Sequence, residues 1–210
     1  MSLWQFFAQN RAEVLQLTLE HLWMVGLSMA IAVAIGVPVG IWLTRRQVAE
    51  KPVLGVANVI QTIPSLALFG FLLPAPWIGA RAERIAVLAL VLYALLPVIR
   101  NTYVGIMGVD RAVVEAGRGM GMTGRQLLLQ VELPLALSVI IAGVRVATVI
   151  SVGLATIAAA IGAGGLGEFI FRGLAMVNNV VILAGAVPAA ILALLADFGL
   201  GLLEKRLRPA

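Results

Sequence analysis

The chain has no cysteine, so neither a disulfide framework nor a thiolate metal site can be built from it. Its single histidine, His21, excludes a multi-histidine metal centre. Lysine is nearly as scarce. Lys51 and Lys205 are the only two, and neither follows the glycine-rich run of a Walker A loop, whose lysine reaches the nucleotide phosphates. The chain therefore cannot hold ATP by that device. Charged residues make up 12% of its 210 positions, against roughly 25% in a soluble domain. That scarcity excludes an ordinary soluble fold, and also disorder, which needs high charge and low hydrophobicity.

What fills the chain instead is apolar: 61% of residues are hydrophobic and the mean hydropathy is +1.05. Five segments, at about 20–43, 53–73, 84–106, 135–160 and 180–203, each approach or exceed the ~20 residues that carry a helix across a bilayer. They predict an all-α integral membrane protein with five transmembrane helices. The second segment is the weakest, because Asn58, Gln61, Thr62, Pro64 and Ser65 interrupt it. Residues 1–17 mix Trp4, Phe6 and Phe7 with polar groups and read as an interfacial helix lying on the membrane. No short apolar core with a small-residue cleavage site precedes the spans, so no cleaved signal peptide is expected.

The net charge is +5, which in so apolar a chain is a topology signal rather than a sign of nucleic-acid binding. Arg45, Arg46 and Lys51 sit between spans 1 and 2, Arg111, Arg118 and Arg125 between spans 3 and 4, and Lys205, Arg206 and Arg208 in the tail at 204–210. Only Arg11, Arg81, Arg84 and Arg172 fall on the other side. By the positive-inside rule the N-terminus is outside and the C-terminus inside. A four-span arrangement with segment 2 re-entrant conflicts with those charges. The 2–3 loop, Pro74-Ala-Pro-Trp-Ile-Gly79, is a short external turn.

The 3–4 loop is long and has apolar positions at helical spacing. Asp110 can cap a short helix starting at Arg111. Gly117, Gly119 and Gly121 weaken that helix and then permit a tight turn. Thr123 and Gln126 form the T-x-x-Q box that starts a second short helix, and Leu133-Pro134 is expected to close it before span 4. Such a knob suits force transmission to a soluble partner; an amphipathic connector resting on lipid fits the same residues.

The loop also carries a pattern: Glu115-Ala116-Gly117, three residues, Gly121, nine residues, then Val131-Glu132-Leu133-Pro134. It resembles the E-A-A loop of binding-protein-dependent ABC importer permeases, with Gly117 in place of Ala and Val131 in place of Ile. Gln61-Thr-Ile-Pro-Ser-Leu-Ala-Leu68, Tyr93–Tyr103, Gly119–Met122, Val131–Ala136 and Ile161–Gly167 resemble one subgroup, the osmoprotectant permeases for glycine betaine, carnitine, choline and proline. The resemblance implies a type I importer permease core at 18–203, in the bacterial inner (plasma) membrane. It also implies a second permease chain, an ATPase subunit that binds the ATP, and an extracytoplasmic substrate-binding protein. In that family the loop is the coupling helix seated in a groove of the ATPase. The role transfers to Glu115, Ala116, Gly117 and Gly121, with Leu133 and Pro134 completing the matched loop. No cofactor and no catalytic residue is expected in this chain.

Weaker signals come with bland alternatives. Gly162-Ala-Gly-Gly-Leu-Gly167 has the letters of a dinucleotide fingerprint, but a span precedes it where a strand is needed; a flexible external turn is the expectation. Arg145 lies deep in span 4, where a charge needs protein, water or a partner. Asp197 in span 5 is its candidate partner, with Arg100 competing. Asn58, Gln61, Thr62 and Ser65 around Pro64 are the candidate pathway-lining residues, and interhelical hydrogen bonding is the alternative. Trp4, Trp23, Trp42 and Trp77 lie near span ends, as in interfacial belts, so no aromatic cage for a quaternary ammonium is evident. The rival functions are a permease for another small solute such as methionine and, from a different class, a passive channel or scaffold.

Overall fold

A backbone surrounded by lipid has to pair its own N–H and C=O groups, and a long apolar run does so as a helix. The computed structural model describes residues 2–74 and 81–207, and every regular element among them is helical. The elements are α1 (Leu3–Gln9), α2 (Arg11–Arg45), α3 (Glu50–Thr62), α4 (Ser65–Leu72), α5 (Ala82–Met107), α6 (Arg111–Gly119), α7 (Gly124–Leu127), α8 (Leu133–Ala158), α9 (Gly167–Ala175) and α10 (Asn179–Arg206). The expected turn at 74–79 and the tail residue Arg208 lie, apart from Pro74, outside the described residues.

Among the described residues, four helical units are long and apolar enough to cross a membrane: α2, α5, the continuous stretch Gly124–Ile161 and α10. Segment 2, expected at 53–73 as the weakest span, is not one straight helix. It is a pair, α3 and α4, bent by 99° at the break. Pro64 causes the bend. It disfavours helical dihedrals in the residue before it, and Ile63 is extended at φ −68, ψ 126. At about 1.5 Å per residue neither piece alone spans the ~30 Å hydrocarbon core.

Helix α2 also departs from the sequence reading. It begins at Arg11, so the separate N-terminal element is α1 alone rather than residues 1–17. Residues 11–19 are too polar to register as a span, yet they stay helical. The Thr18 hydroxyl donates to the Val14 carbonyl (2.7 Å) and the Gln16 amide to Glu20 (2.9 Å). Helix α1, started by a Ser2–Gln5 capping box, is docked on protein. Phe6 is buried edge-on against Phe169, with ring centroids 5.5 Å apart.

Helix α5 is the centre of the bundle, packed along α2 on one side and α8 on the other. Small residues let the backbones approach, which is what drives packing in lipid. Gly36 and Gly40 of α2, one turn apart, meet α5; a Cβ on Gly40 would lie 2.6 Å from Thr102 Cβ and 2.9 Å from the Ile99 carbonyl. On the opposite side a Cβ on Gly143 of α8 would lie 2.4 Å from Asn101 Cβ. The main core joins Met24, Met29, Phe69, Ile85, Leu90 and Val98 with alanines of α5 and α8.

Candidate functional site

The loop between α5 and α8 is built by local capping. Asp110 starts α6 by accepting the Ala112 N–H at 2.8 Å. Helix α6 stops at a turn in which Gly121 takes φ +81, a left-handed conformation that glycine adopts without steric penalty. The Met122 N–H reaches back to the Gly117 carbonyl. Thr123 and Gln126 then close a reciprocal box on α7: the Thr123 N–H donates to Gln126 Oε1 at 2.8 Å, and the Gln126 N–H donates to Thr123 Oγ1 at 3.3 Å. Gly117 is buried where α6 folds onto α7. A Cβ there would lie 2.8 Å from Leu127 Cδ1 and 3.1 Å from Met122 Sδ, both movable side-chain ends.

Leu133-Pro134 does not close the second helix, as the sequence reading expected. Those residues are the first two of α8, and α7 passes into α8 through a π-helical stretch, Leu128–Glu132. Pro134 has no N–H to give the Gln130 carbonyl, and the ladder slips here: the Leu133 N–H bonds five residues back to Leu128. Pro is tolerated in a first turn, so the helix bends its ladder instead of ending. The slip lies beside a buried carboxylate. Glu132, between Val131 and Leu133, is paired with both terminal guanidinium nitrogens of Arg45 at the end of α2, one contact being Nη1–Oε1 at 3.2 Å.

A cleft of about 350 Å³ separates α6 from the ends of α2 and α5, lined by Thr44, Arg45, Met107, Arg111, Glu115 and Glu132 among others. Glu115 and Ala116 are exposed, and Glu115 makes no salt bridge among the described residues. Val113 and Met120, 43% and 78% exposed, add apolar surface to the same small element. A helix pair with exposed apolar residues and an exposed carboxylate bordering a cleft has the make-up of a protein-docking knob.

The polar residues of segment 2 divide by role. The Gln61 amide donates to the Tyr93 carbonyl at 2.8 Å. The Tyr93 hydroxyl donates to the Ile63 carbonyl at the bend. Thr62 donates to its own helix at Val59 (2.7 Å), and Ser65 opens α4. Asn58 is exposed on a cleft of about 440 Å³ that it shares with Glu50, Lys51, Arg100 and Tyr103. Gln61 lines an adjoining cleft of about 310 Å³ with Asn101, Val146 and Ile150, and Leu96 and Arg100 belong to both.

Arg145 and Asp197 are in contact, Nε–Oδ1 at 2.6 Å and Nη2–Oδ2 at 2.9 Å. The sequence reading missed the third member, Glu204, two turns further along α10 and 3.2 Å from Arg145 Nη1. Heptad spacing on α10 is the signal that would have found it. Arg100, the expected competitor for Asp197, makes no salt bridge among the described residues.

At the opposite end the glycine-rich segment is held rather than flexible. Residues 163–167 are buried. Gly164 and Gly165 take φ +86 and +78, and the Gly165 N–H donates to Glu20 Oε2 at 3.1 Å. A Cβ on Gly164 would stand 2.6 Å from that oxygen. His21 beside it is fully buried, with Nε2 3.2 Å from the Val152 carbonyl. Helix α9 follows, tied to α2 by Arg172–Glu13 at 2.8 Å.

Comparison with known proteins agrees with this architecture. The family model "Binding-protein-dependent transport system inner membrane component" matches residues 36–209. The carnitine transport permease protein OpuCB of Listeria monocytogenes is 47% identical over 97% of this chain and 92% of its own length. The choline transport system permease protein OpuBB of Bacillus subtilis is 42% identical over 98% and 94%. The osmoprotectant import permease protein OsmW of Salmonella typhimurium is 40% identical over 97% and 96%. Among solved structures, an inward-facing form of the MetNI methionine ABC transporter superposes with a TM-score of 0.86 at 23% identity, over 95% of this chain and 98% of that one, so the fold is that of a type I ABC importer permease. The chain accordingly belongs to the inner membrane components of binding-protein-dependent transport systems, as a multi-pass transport subunit of the plasma membrane rather than an enzyme.

Proposed function

We propose that this chain is the membrane-spanning permease of an ATP-driven importer for a small osmoprotectant: glycine betaine, carnitine, choline or proline. The observation that carries the coupling part is the α6–α7 knob, on which Glu115 and Ala116 are exposed and Glu115 makes no salt bridge among the described residues. The substrate class is supported by near full-length likeness to permeases named for carnitine and choline. ATP sits on a separate ATPase subunit, and α6 docks in that subunit. An extracytoplasmic binding protein delivers the substrate, and a second permease chain completes the pathway. The loop end of the bundle faces the cytoplasm, where Arg45, Arg46, Arg111, Arg118 and Arg125 follow the positive-inside rule, leaving the N-terminus outside and the C-terminus inside.

Co-purification with the cognate ATPase tests the reading, comparing wild type with Glu115→Arg and Gly121→Trp. Both variants are expected to insert and fold but to lose the ATPase, and with it ATP-dependent glycine betaine uptake in proteoliposomes. Retention of the ATPase and of full uptake by both variants overturns the docking role.

A further inference from the structure

Two arginines lie well inside the apolar helices, and they are treated differently. Arg145 is enclosed by two carboxylates. Arg100, seven residues before the end of α5 and about 10 Å along the helix axis at 1.5 Å per residue, is exposed and has no carboxylate within bridging distance among the described residues. An unpaired cation at that depth needs water or an anion. Arg100 has a site for either. It is the wall common to the two adjoining clefts, of about 440 and 310 Å³, between α3, α5 and α8. Each cleft falls within the ~300–1,000 Å³ range of small-ligand sites.

The larger cleft carries charge of both signs. Arg100 and Tyr103 stand three residues apart on α5, so their side chains leave neighbouring points of one helix face. The Tyr103 hydroxyl donates to Glu50 Oε2 at 2.9 Å, and Asn58 and Lys51 complete the polar wall. The cleft thus offers a guanidinium, whose planar fork matches a carboxylate, and, one helical turn along the same face, an aromatic ring paired with a carboxylate, groups that attract a quaternary ammonium. A small zwitterion carries both matching groups.

We infer that the cleft between α3 and α5 is a transit site for a zwitterionic substrate, in which Arg100 takes the carboxylate and the Tyr103–Glu50 pair takes the cationic end. The inference rests on the osmoprotectant reading above. It makes Arg100 a specificity residue: substrates with a carboxylate need it, and choline, which has the same trimethylammonium head and no carboxylate, does not.

The complete importer in proteoliposomes, with its ATPase and saturating binding protein, separates the outcomes. Arg100→Gln is expected to lower the maximal rate of glycine betaine uptake about tenfold or more, the scale of a lost charge-assisted hydrogen bond, and to leave choline uptake within about twofold of wild type. Arg100→Lys should recover part of the glycine betaine rate. Equal loss for both substrates, no loss for either, or a complex that falls apart overturns the inference. A second readout is independent of transport. Because the chain has no cysteine, Asn58→Cys introduces a single thiol for a water-soluble maleimide. The thiol should label in the assembled complex, and glycine betaine should slow labelling with Arg100 present and not with Arg100→Gln. An unreactive thiol, or one glycine betaine never protects, overturns the transit site. A wild-type importer that moves neither substrate overturns the osmoprotectant reading instead, and the labelling result then decides the cleft alone.

Discussion

Gln61 supplies the hydrogen bond that Pro97 removes from its own helix. In α5 the Tyr93 carbonyl would normally accept from the N–H of residue 97, and proline has none. The Gln61 amide of α3 reaches that carbonyl at 2.8 Å. Tyr93 returns the favour, its hydroxyl donating to the Ile63 carbonyl freed at the Pro64 bend. Two proline defects on different helices are thus closed by one residue pair, which locks the bend of segment 2 onto the central helix.

Gln61→Leu therefore leaves a buried carbonyl unpaired and should cost about 1–3 kcal/mol. Tyr93→Phe should cost a comparable amount. Because both bonds hold the same bend, the double variant should lose less than the sum of the singles. Denaturant unfolding of the detergent-solubilised protein measures all three; strict additivity would show that the bonds act independently.

Much of this molecule was legible in its sequence, and what was not has common causes. The Asp110 and Thr123–Gln126 caps depend on residues two or three positions apart, so local spelling sufficed. The bend at Pro64 and the π-turn before Pro134 do not follow from the sequence because a proline can be absorbed into a helix or can break it, and at the bend the freed Ile63 carbonyl finds its donor in Tyr93, 30 residues away in sequence. Arg45–Glu132 and Glu20–Gly165 join positions 87 and 145 residues apart, beyond any periodicity argument. Gly36 and Gly40, which meet α5, cannot be told from the sequence alone from a glycine of the same helix that meets nothing, Gly26.

The Arg45–Glu132 pair links the exit of the α6–α7 loop to the end of α2. Glu132 is buried while Arg45 is 43% exposed, so solvent screens part of the attraction. Glu132→Ala should cost about 1–2 kcal/mol of stability, and the loss should shrink when Arg45 is already alanine. A double-mutant cycle on unfolding free energy reads the coupling, and a value near zero would mean that Glu132 is held by packing alone.

Two glycines of the loop, two residues apart, should respond oppositely to alanine. Gly119 is helical with open space around it, so Gly119→Ala should be neutral or stabilise the loop by up to about 1 kcal/mol. Gly121 has equal space but φ +81, and Gly121→Ala should cost about 1–2 kcal/mol through the left-handed backbone. Proteolytic nicking of the loop in the detergent-solubilised protein should slow in the first variant and quicken in the second.

At the far end, Glu20 is a carboxylate spent on a backbone amide. Its Oε2 accepts the Gly165 N–H while Oε1 accepts the Gln16 amide at 2.9 Å, and the turn folds around it. Glu20→Gln keeps an acceptor and adds a donor; Glu20→Ala removes the acceptor and leaves the Gly165 N–H buried and unpaired, at about 1–3 kcal/mol. The alanine variant should therefore lose protection against hydrogen exchange through residues 163–167, and the glutamine variant should keep most of it. Gly164→Ala should resemble the alanine variant for a different reason, since its Cβ would crowd the carboxylate from a left-handed backbone. Equal protection in Glu20→Ala and wild type would show that the buried turn is held by His21 and its packing rather than by the carboxylate.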